Sequence, residues 1–164
     1  MGVGRRPDDD ELRTAVDELA IRRLQAAYGD AVSRQAWSEL GPMFAPGAPI
    51  ELDLRDGTTR RFEGGEAIAA FIAGSIERFE FFEFALLNAV VDLVGDHEAT
   101  GRLYMWELRQ DAAAHRWSNA YGLYRDRYAR VDGRWVFAER RYSSLARTAP
   151  DGGGMVVFDI PGGN

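Results

Sequence analysis

A single carboxylate, that of Glu107, stands among apolar residues in the segment RLYMWELRQ, where it could transfer protons. If Gly95-Asp96 is a two-residue turn between two strands, Val94 faces His97 and Phe84 faces Glu107. One face of this hairpin then carries Phe84, Leu86, Asn88, Leu103, Met105 and Glu107. Apolar surroundings raise a carboxyl pKa toward neutrality, so we predict that Glu107 is a catalytic acid or base. The alternative is that a bulge shifts the register and Glu107 faces water.

His115 begins the next predicted strand, with Trp117, Asn119 and Tyr121 on its own side of the pleat. These four side chains could form a polar, aromatic wall that hydrogen-bonds a carbonyl or hydroxyl group and stacks on a ring. We therefore predict a catalytic role for His115 and substrate contacts for Asn119 and Tyr121. The alternative is that a histidine beside a loop is simply solvated.

Arg140 near the end of the last predicted strand is a candidate for binding negative charge, and its neighbours depend on the turn at Asp132-Gly133. A strict two-residue loop sets Arg125 opposite Arg140, whereas a bulged three-residue loop sets Tyr124 opposite Arg140. Since like charges that face each other are unfavourable, we predict the bulged form. Tyr124 and Asp126 then share the side of Arg140. The arginine either forms a structural salt bridge with Asp126 or contacts an anion or enolate.

The composition excludes several kinds of site. The chain has 26 acidic and 20 basic residues and a net charge of -6, the wrong sign for binding a phosphate backbone, so we expect no nucleic-acid partner. Cysteine is absent, and only His97 and His115 could supply imidazole, so we expect no metal and no cofactor. No apolar run approaches the ~20 residues of a membrane span, and no signal peptide begins the chain. We expect a cytoplasmic protein that binds no membrane.

A long amphipathic helix is predicted near the start of the chain. Asp8 and Glu11 can form a capping box that opens this helix. Apolar residues then recur at three- and four-residue steps and predict a stripe that packs on a sheet. The stripe includes Leu12, Val16, Leu19, Leu24, Ala27 and Ala31.

The remaining pattern predicts an α+β fold of one domain, residues 1–164. A second short helix over residues 36–44, a hairpin over 50–62 and a third helix after Gly64-Gly65 precede four long strands that form an antiparallel meander. We expect this sheet to curve around the N-terminal helices and to leave a cavity between the layers. Residues 1–7 are predicted to be a flexible leader. The glycine-rich tail, 146–164, could cap the cavity, lie on a partner subunit or be disordered.

Two segments together resemble the SnoaL-like branch of the nuclear-transport-factor-2-like superfamily. They are the helix LAIRRLQAAYGDAVSRQAW and the last hairpin, YGLYRDRYARVDGRWVFAERRY. The resemblance implies a cone-shaped, cystatin-like α+β barrel with an internal pocket. The family includes dehydratases, isomerases, polyketide cyclases and a dehydrochlorinase, so the resemblance implies a cofactor-independent lyase, isomerase or cyclase.

The resemblance also assigns individual positions. In SnoaL-like enzymes similar to the dehydrochlorinase, an aspartate near the end of helix one pairs with a histidine on the first long strand. The matching positions here are Ser33 and Phe84, so both groups are replaced. An arginine near the end of the last strand supports the charged state, and it is retained as Arg140. The adjacent Arg141 points to the opposite face of the strand.

Tyr28 and Trp37 flank the corner that follows helix one, where similar enzymes use a tyrosine to hydrogen-bond the substrate. The alternative for Tyr28 is a core position with its hydroxyl at the rim. The complete predicted substrate-binding set is Tyr28, Trp37, Phe84, Asn88, Met105, Asn119, Tyr121 and Tyr124.

Two functions fit these residues. The first is an enzyme acting on a small, mostly apolar cyclic molecule, polyketide-like or steroid-like, with Glu107 as acid or base. Arg140, Tyr28 and Asn119 would polarise its carbonyl group. The second is a non-catalytic protein of the same fold that binds a hydrophobic ligand or serves as a scaffold. We also predict a homodimer through the sheet face opposite Glu107, which carries Arg102, Tyr104 and Trp106.

Overall fold

The structure, a computed structural model, describes residues 8–162, so the predicted leader at 1–7 lies outside the described residues. The helices are α1 (Asp9–Ser33) and α2 (Gly64–Ile76), with 3₁₀ turns at Trp37–Glu39 and Gly41–Met43. The strands are β1 (Pro49–Asp53), β2 (Thr59–Glu63), β3 (Phe79–Leu93), β4 (Glu98–Asp111), β5 (Trp117–Val131), β6 (Arg134–Thr148) and β7 (Met155–Val157). No helix of the described part is long and apolar enough to span a membrane.

The strands form one open, curved sheet, and the predicted α+β class is confirmed. The order is β2-β1-β6-β5-β4-β3, and β7 also pairs with β6. The predicted meander is present as β3 to β6, and β1 runs parallel to β6 beside it. In the glycine-rich tail, β7 adds an antiparallel strand in which Met155 pairs with Thr148.

Helix α1 begins at the predicted capping box but turns a different face to the sheet in its first half. The Glu11 amide donates to Asp8 Oδ1 at 2.9 Å and the Asp8 amide donates to Glu11 Oε2 at 3.0 Å. Asp17 is buried here, because its carboxylate accepts from the Trp135 indole at 3.1 Å and pairs with Arg130. The predicted apolar stripe is therefore wrong for its first three members, which are exposed: Leu12, Val16 and Leu19.

The helix predicted over residues 36–44 is replaced by the two 3₁₀ turns. Gly41 and Pro42 lie within this stretch, and both residue types disfavour an α-helix. The turns pack tightly against the start of α2, where a Cβ at Gly65 would lie 2.5 Å from the Leu40 carbonyl oxygen. The glycine permits this close approach, which holds α2 over the sheet.

The β3–β4 hairpin places Glu107 as predicted, although its turn differs from the prediction. Residues 94–97 form a four-residue loop, so Leu93 pairs with Ala99 and the register near the loop is shifted by one residue. A bulge at Leu87 restores the predicted register further along the strands. Phe84 therefore pairs with Glu107.

Asn88 lies between the loop and the bulge, where the register remains shifted. It pairs with Tyr104 instead of Leu103 and is exposed. The prediction that Asn88 faces the pocket is therefore wrong, because a one-residue shift turns a strand residue to the other face.

The β5–β6 hairpin turns at Asp132-Gly133, where both residues have positive φ, 49° and 76°. Val131 pairs with Arg134, so the loop has two residues and the predicted bulged three-residue loop is wrong. A bulge at Ala138 then shifts the register on the β6 side. Asp126 consequently pairs with Arg140, and the predicted pairing of Tyr124 with Arg140 is wrong. The shift brings an acidic residue directly opposite the buried arginine.

Like charges do face each other in this hairpin, because Arg125 pairs with a second arginine, Arg141. Each has an acceptor of its own. Arg125 donates to the Pro161 carbonyl, and Arg141 forms an ion pair with Glu139 at 2.6 Å. Local acceptors thus make this facing pair tolerable.

Candidate active site

A cavity of about 250 Å³ lies between the concave face of the sheet and helices α1 and α2. Most of its wall is apolar, with contributions from Val32, Leu52, Ile68, Ile72, Phe79 and Phe84. The groups in its wall that can donate, accept or titrate include Tyr28, Glu107, Arg109, Tyr124, Arg140 and Tyr142. Such a cavity suits a small apolar molecule that carries a few polar atoms.

Glu107 lines this cavity from β4, and its side chain is 23% exposed. Burial raises the pKa of its carboxyl, and the positive charge of Arg109 opposes that rise. Arg109 Nη1 lies 3.5 Å from Glu107 Oε2. The environment is thus the one predicted for Glu107, a partly desolvated carboxyl with only one weak charge partner.

Arg140 is completely buried in the cavity wall and forms a two-pronged ion pair with Asp126. Its Nε donates to Oδ1 and its Nη2 donates to Oδ2, both at 2.8 Å, and both side chains are 0% exposed. Burial alone would lower the pKa of Arg140, but the charge and hydrogen bonds of Asp126 raise it above its ordinary value. The guanidinium is therefore permanently charged, and Asp126 is confirmed as its partner.

The third nitrogen of this guanidinium, Nη1, has no hydrogen-bond partner among the described residues. A buried donor without a partner is costly, so it marks a place where a ligand oxygen would be favourable. Because Arg140 lines the cavity, this donor is the clearest polar anchor point for a bound molecule.

Aromatic rings enclose Arg140. Its guanidinium carbon lies 4.3 Å from the ring centre of Tyr28, 4.2 Å from that of Tyr124 and 3.9 Å from that of Phe137. These cation–π contacts help to hold the charge in a dry place. Burial raises the pKa of Tyr28, with Arg140 opposing, and raises the pKa of Tyr124 well above its ordinary value. Both phenols therefore keep their protons and can donate hydrogen bonds.

The two positions that the resemblance assigns to an acid–base pair do lie in contact, although neither has kept its chemistry. The Phe84 amide donates to Ser33 Oγ at 3.0 Å, and the Ser33 hydroxyl lies 3.3 Å from the Phe84 carbonyl oxygen. Ser33 now connects the end of α1 to β3. The Phe84 ring is part of the cavity wall.

The structure does not bring His115 to the cavity. Strand β5 begins at Trp117, and His115 lies in the preceding turn with a φ of 52°. Its side chain is 71% exposed, and its Nδ1 lies 3.4 Å from Glu80 Oε1. The predicted position at the start of the strand is therefore wrong, and no geometry supports a catalytic role.

Asn119 and Tyr121 lie on the outer face of the sheet. Asn119 Oδ1 accepts from the Trp106 indole at 2.8 Å, and the Tyr121 ring stacks on Trp106 with centres 6.3 Å apart. The predicted polar wall is therefore wrong, because the even-numbered residues of β5, including Ala120 and Tyr124, face the cavity.

The other predicted contacts divide between the cavity and the core. Tyr28, Phe84 and Tyr124 line the cavity. Met105 is completely buried in the hydrophobic core, and Trp37 packs against the edge of that core. These last two residues support the site without forming its surface.

The polar lining also includes Tyr142 and Arg147 on β6 and Arg109 on β4, none of which was predicted from the sequence. Tyr142 was detectable, because it follows Arg140 by two residues and strand residues alternate between faces. Its ring fits only because residue 122 is glycine, since a Cβ there would lie 2.0 Å from Tyr142 Cε2. Arg147 lies beyond a second β5–β6 bulge, which no sequence pattern marks.

Comparison with known proteins agrees with this geometry. Residues 13–141 match the SnoaL-like domain family, and the chain belongs to that family. No curated protein matches it in sequence. Within the described residues, no group of three or more His, Cys, Asp or Glu side chains is arranged to hold a metal ion.

Several crystal structures have the same fold. A proposed scytalone dehydratase from Novosphingobium aromaticivorans is 20% identical with a TM-score of 0.74, covering 93% of this chain and 97% of that one. The hexachlorocyclohexane dehydrochlorinase LinA-type3 from Novosphingobium barchaimii is 18% identical with a TM-score of 0.73, covering 92% and 99%. An NTF2-like protein with a cystatin-like fold from N. aromaticivorans is 20% identical with a TM-score of 0.67, covering 86% and 92%.

Proposed function

We propose that this protein is a cofactor-independent acid–base enzyme that acts on a small, apolar, cyclic carbonyl compound, as a lyase, isomerase or cyclase. The observation that carries the proposal is the presence, in one apolar cavity, of a carboxyl with a raised pKa and a buried guanidinium with an unpartnered donor. A group that moves protons and a group that holds developing negative charge are the two requirements of enolisation.

In this mechanism Glu107 is the base. Its carboxylate removes a proton from the carbon next to the substrate carbonyl; the C–H electron pair forms a C=C bond and the carbonyl π pair moves to the oxygen, which gives the enolate. In an isomerisation the protonated Glu107 returns the proton to another carbon as the carbonyl re-forms. In a dehydration it protonates a β-hydroxyl, whose C–O bond breaks as the carbonyl re-forms, and water leaves. A raised pKa suits both halves, since the carboxyl must accept and then donate.

Arg140 would stabilise the enolate oxygen through Nη1, while the Tyr28 and Tyr124 hydroxyls donate beside it. Asp126 fixes the guanidinium from the opposite side, so the donor is oriented before the substrate arrives. The dry, aromatic surroundings strengthen the contact, because charges interact more strongly where water is excluded.

The names of two structural neighbours, a proposed scytalone dehydratase and a hexachlorocyclohexane dehydrochlorinase, support this class of chemistry, since both names denote eliminations. The replacement of the family's acid–base pair by Ser33 and Phe84 favours the second candidate, a ligand-binding protein without turnover. The position of Glu107 supports the enzyme, because this carboxyl could serve as a proton acceptor on the strand that pairs with Phe84.

The test is exchange of the α-protons of a bicyclic ketone, 1-indanone, in deuterated buffer, followed by proton NMR. The native protein should accelerate exchange above the buffer rate. In Glu107→Gln the protein-dependent exchange rate should be at least about a hundredfold lower, which is the usual scale of general base catalysis. Glu83→Gln is the matched control, since Glu83 is an exposed glutamate of β3 in the same hairpin. If the native protein binds the ketone without accelerating exchange, the binding protein is the correct alternative.

A further inference from the structure

A second hollow of about 440 Å³ lies next to the cavity. Four residues line both spaces and therefore stand at the boundary between them: Arg78, Phe79, Arg109 and Arg147. The outer hollow continues along the start of β5 and the end of β6, past Arg116 and Trp117. We call this surface hollow the arginine groove.

The arginine groove is positively charged, although the whole chain carries a net charge of -6. Among the described residues that line it, Arg78, Arg109, Arg116 and Arg147 are opposed by a single carboxylate, that of Asp111. The Asp111 Oδ1 accepts from the amides of Ala113 and Ala114 at 3.0 and 2.8 Å, and these bonds together with the charges of Arg78 and Arg116 lower its pKa. One carboxylate faces four guanidinium groups, so the lining keeps an excess of positive charge.

Three of these arginines form no ion pair with a described residue, since no carboxylate within residues 8–162 lies within ion-pair distance of Arg78, Arg116 or Arg147. Arg147 Nη1 donates instead to the Leu54 carbonyl at 2.7 Å. Arg109 lies 3.5 Å from Glu107 and its Nη2 donates to the Asn119 carbonyl at 3.3 Å, while its buried Nε has no hydrogen-bond partner among the described residues. Neutral carbonyl acceptors do not neutralise a guanidinium, so this cluster favours an anionic oxygen group.

Phe79 lies at the boundary of the two spaces. The guanidinium carbon of Arg78 lies 4.8 Å from its ring centre and that of Arg109 lies 5.4 Å from it. The ring holds both cations at this boundary, so they would stand beside a molecule that extends from the cavity into the groove. An apolar body inside and an anionic end outside would match both environments.

We infer that the natural ligand of this cavity is amphipathic: its apolar ring system fills the cavity, and a carboxylate or phosphate group at its other end binds the arginine groove. This inference rests on the proposed function, because it takes the reacting carbonyl to lie at Arg140. It narrows the substrate class from apolar cyclic ketones to cyclic ketones that carry an anionic substituent.

The experiment compares ligands that differ only at the outer end, by isothermal titration calorimetry on the full chain. The probes are 2-naphthylacetate, the neutral 2-naphthylacetamide and 2-naphthyl phosphate. Native protein should bind at least one anion about tenfold more tightly than the amide, and added salt should reduce the difference. The better anion shows whether the group is a carboxylate or a phosphate.

The double variant Arg78→Gln with Arg116→Gln removes two exposed charges from the groove. It should reduce the preference for the anion, measured as the ratio of anion affinity to amide affinity, to about threefold or less. The matched control, Arg13→Gln with Arg127→Gln, removes two exposed charges elsewhere, with side chains 64% and 61% exposed. This control should keep the full preference.

Equal binding of anion and amide by the native protein would overturn the inference, as would failure of all three probes to bind. An equal loss of preference in both double variants would also overturn it, since only the overall charge would then matter. 1-Indanone is a neutral ketone, so none of these results changes the outcome expected for its proton exchange. The proposed function is therefore tested independently.

Discussion

Loss of the buried ion pair between Asp126 and Arg140 should lower the free energy of unfolding far more than loss of an exposed ion pair does. The variant Asp126→Asn tests this. The change keeps the shape of the side chain but removes the negative charge and turns an amide toward Nη2. Arg140, which is 0% exposed, would then be an uncompensated buried cation. The Tyr128 hydroxyl, which donates to Asp126 Oδ2 at 2.9 Å, would also lose a charged acceptor.

Breaking a buried ion pair by removing one partner costs about 3–5 kcal/mol. For a domain of this size each kcal/mol lowers the melting temperature by about 2–4 °C, so a decrease of about 6–20 °C is expected. Urea unfolding at neutral pH, followed by circular dichroism, measures the free energy directly.

Asp56→Asn is the matched control. Asp56 forms the same kind of pair with Arg60, at 2.6 Å, but both side chains are about a third exposed. An exposed pair contributes little to stability, so this variant should unfold almost as the native protein does. If Asp126→Asn lost no more stability than Asp56→Asn, the claim that Arg140 is held as a dry, pre-oriented cation would be refuted.

Three further predictions address packing, pH and assembly. Gly122→Ala places a Cβ against the Tyr142 ring and should cost about 1–3 kcal/mol in urea unfolding; an unchanged midpoint would show that the ring is not fixed. Because the pKa of Glu107 is raised on folding, its contribution to stability is full below about pH 4.3 and is lost as the pH rises through the folded pKa. The free energy of unfolding of Glu107→Gln minus that of the native protein should therefore be larger at pH 7 than at pH 4. A difference that does not change with pH would contradict this. Light scattering should show a homodimer at micromolar concentration through the sheet face of Arg102, Tyr104 and Trp106, and a monomer would remove that claim.

The fold was largely predictable because its signals are local. Alternating apolar residues, the capping box at Asp8 and the turn at Asp132-Gly133 predicted the helix, the meander and its last hairpin. Periodicity wrongly predicted a helix over residues 36–44. The 3₁₀ turns found there pack against Gly65, which is a tertiary contact that a local pattern does not contain. The exposed stripe of α1 is a similar case, because the burial of Asp17 depends on partners in distant strands.

The candidate site was predictable only where the observed strand register agrees with the predicted one. Glu107 was placed correctly because the longer loop and the bulge at Leu87 cancel beyond that bulge, whereas Asn88 lies between them and was misplaced. Arg140 was identified through the family resemblance, but its pairing with Asp126 depends on a bulge at Ala138 that the sequence does not mark. The positions of bulges depend on the curvature of the whole sheet, and a local sequence pattern does not contain that information.

The titration of the Glu107 carboxyl tests the central claim most directly. In protein labelled with carbon-13 at the glutamate carboxyls, the Glu107 resonance is identified by its absence in Glu107→Gln and followed by NMR against pH. The account predicts that this resonance titrates at a clearly higher pH than an ordinary glutamate side chain, because burial in the cavity wall disfavours the charged form. A Glu107 resonance that titrates at the ordinary glutamate value, about pH 4.3, would contradict it.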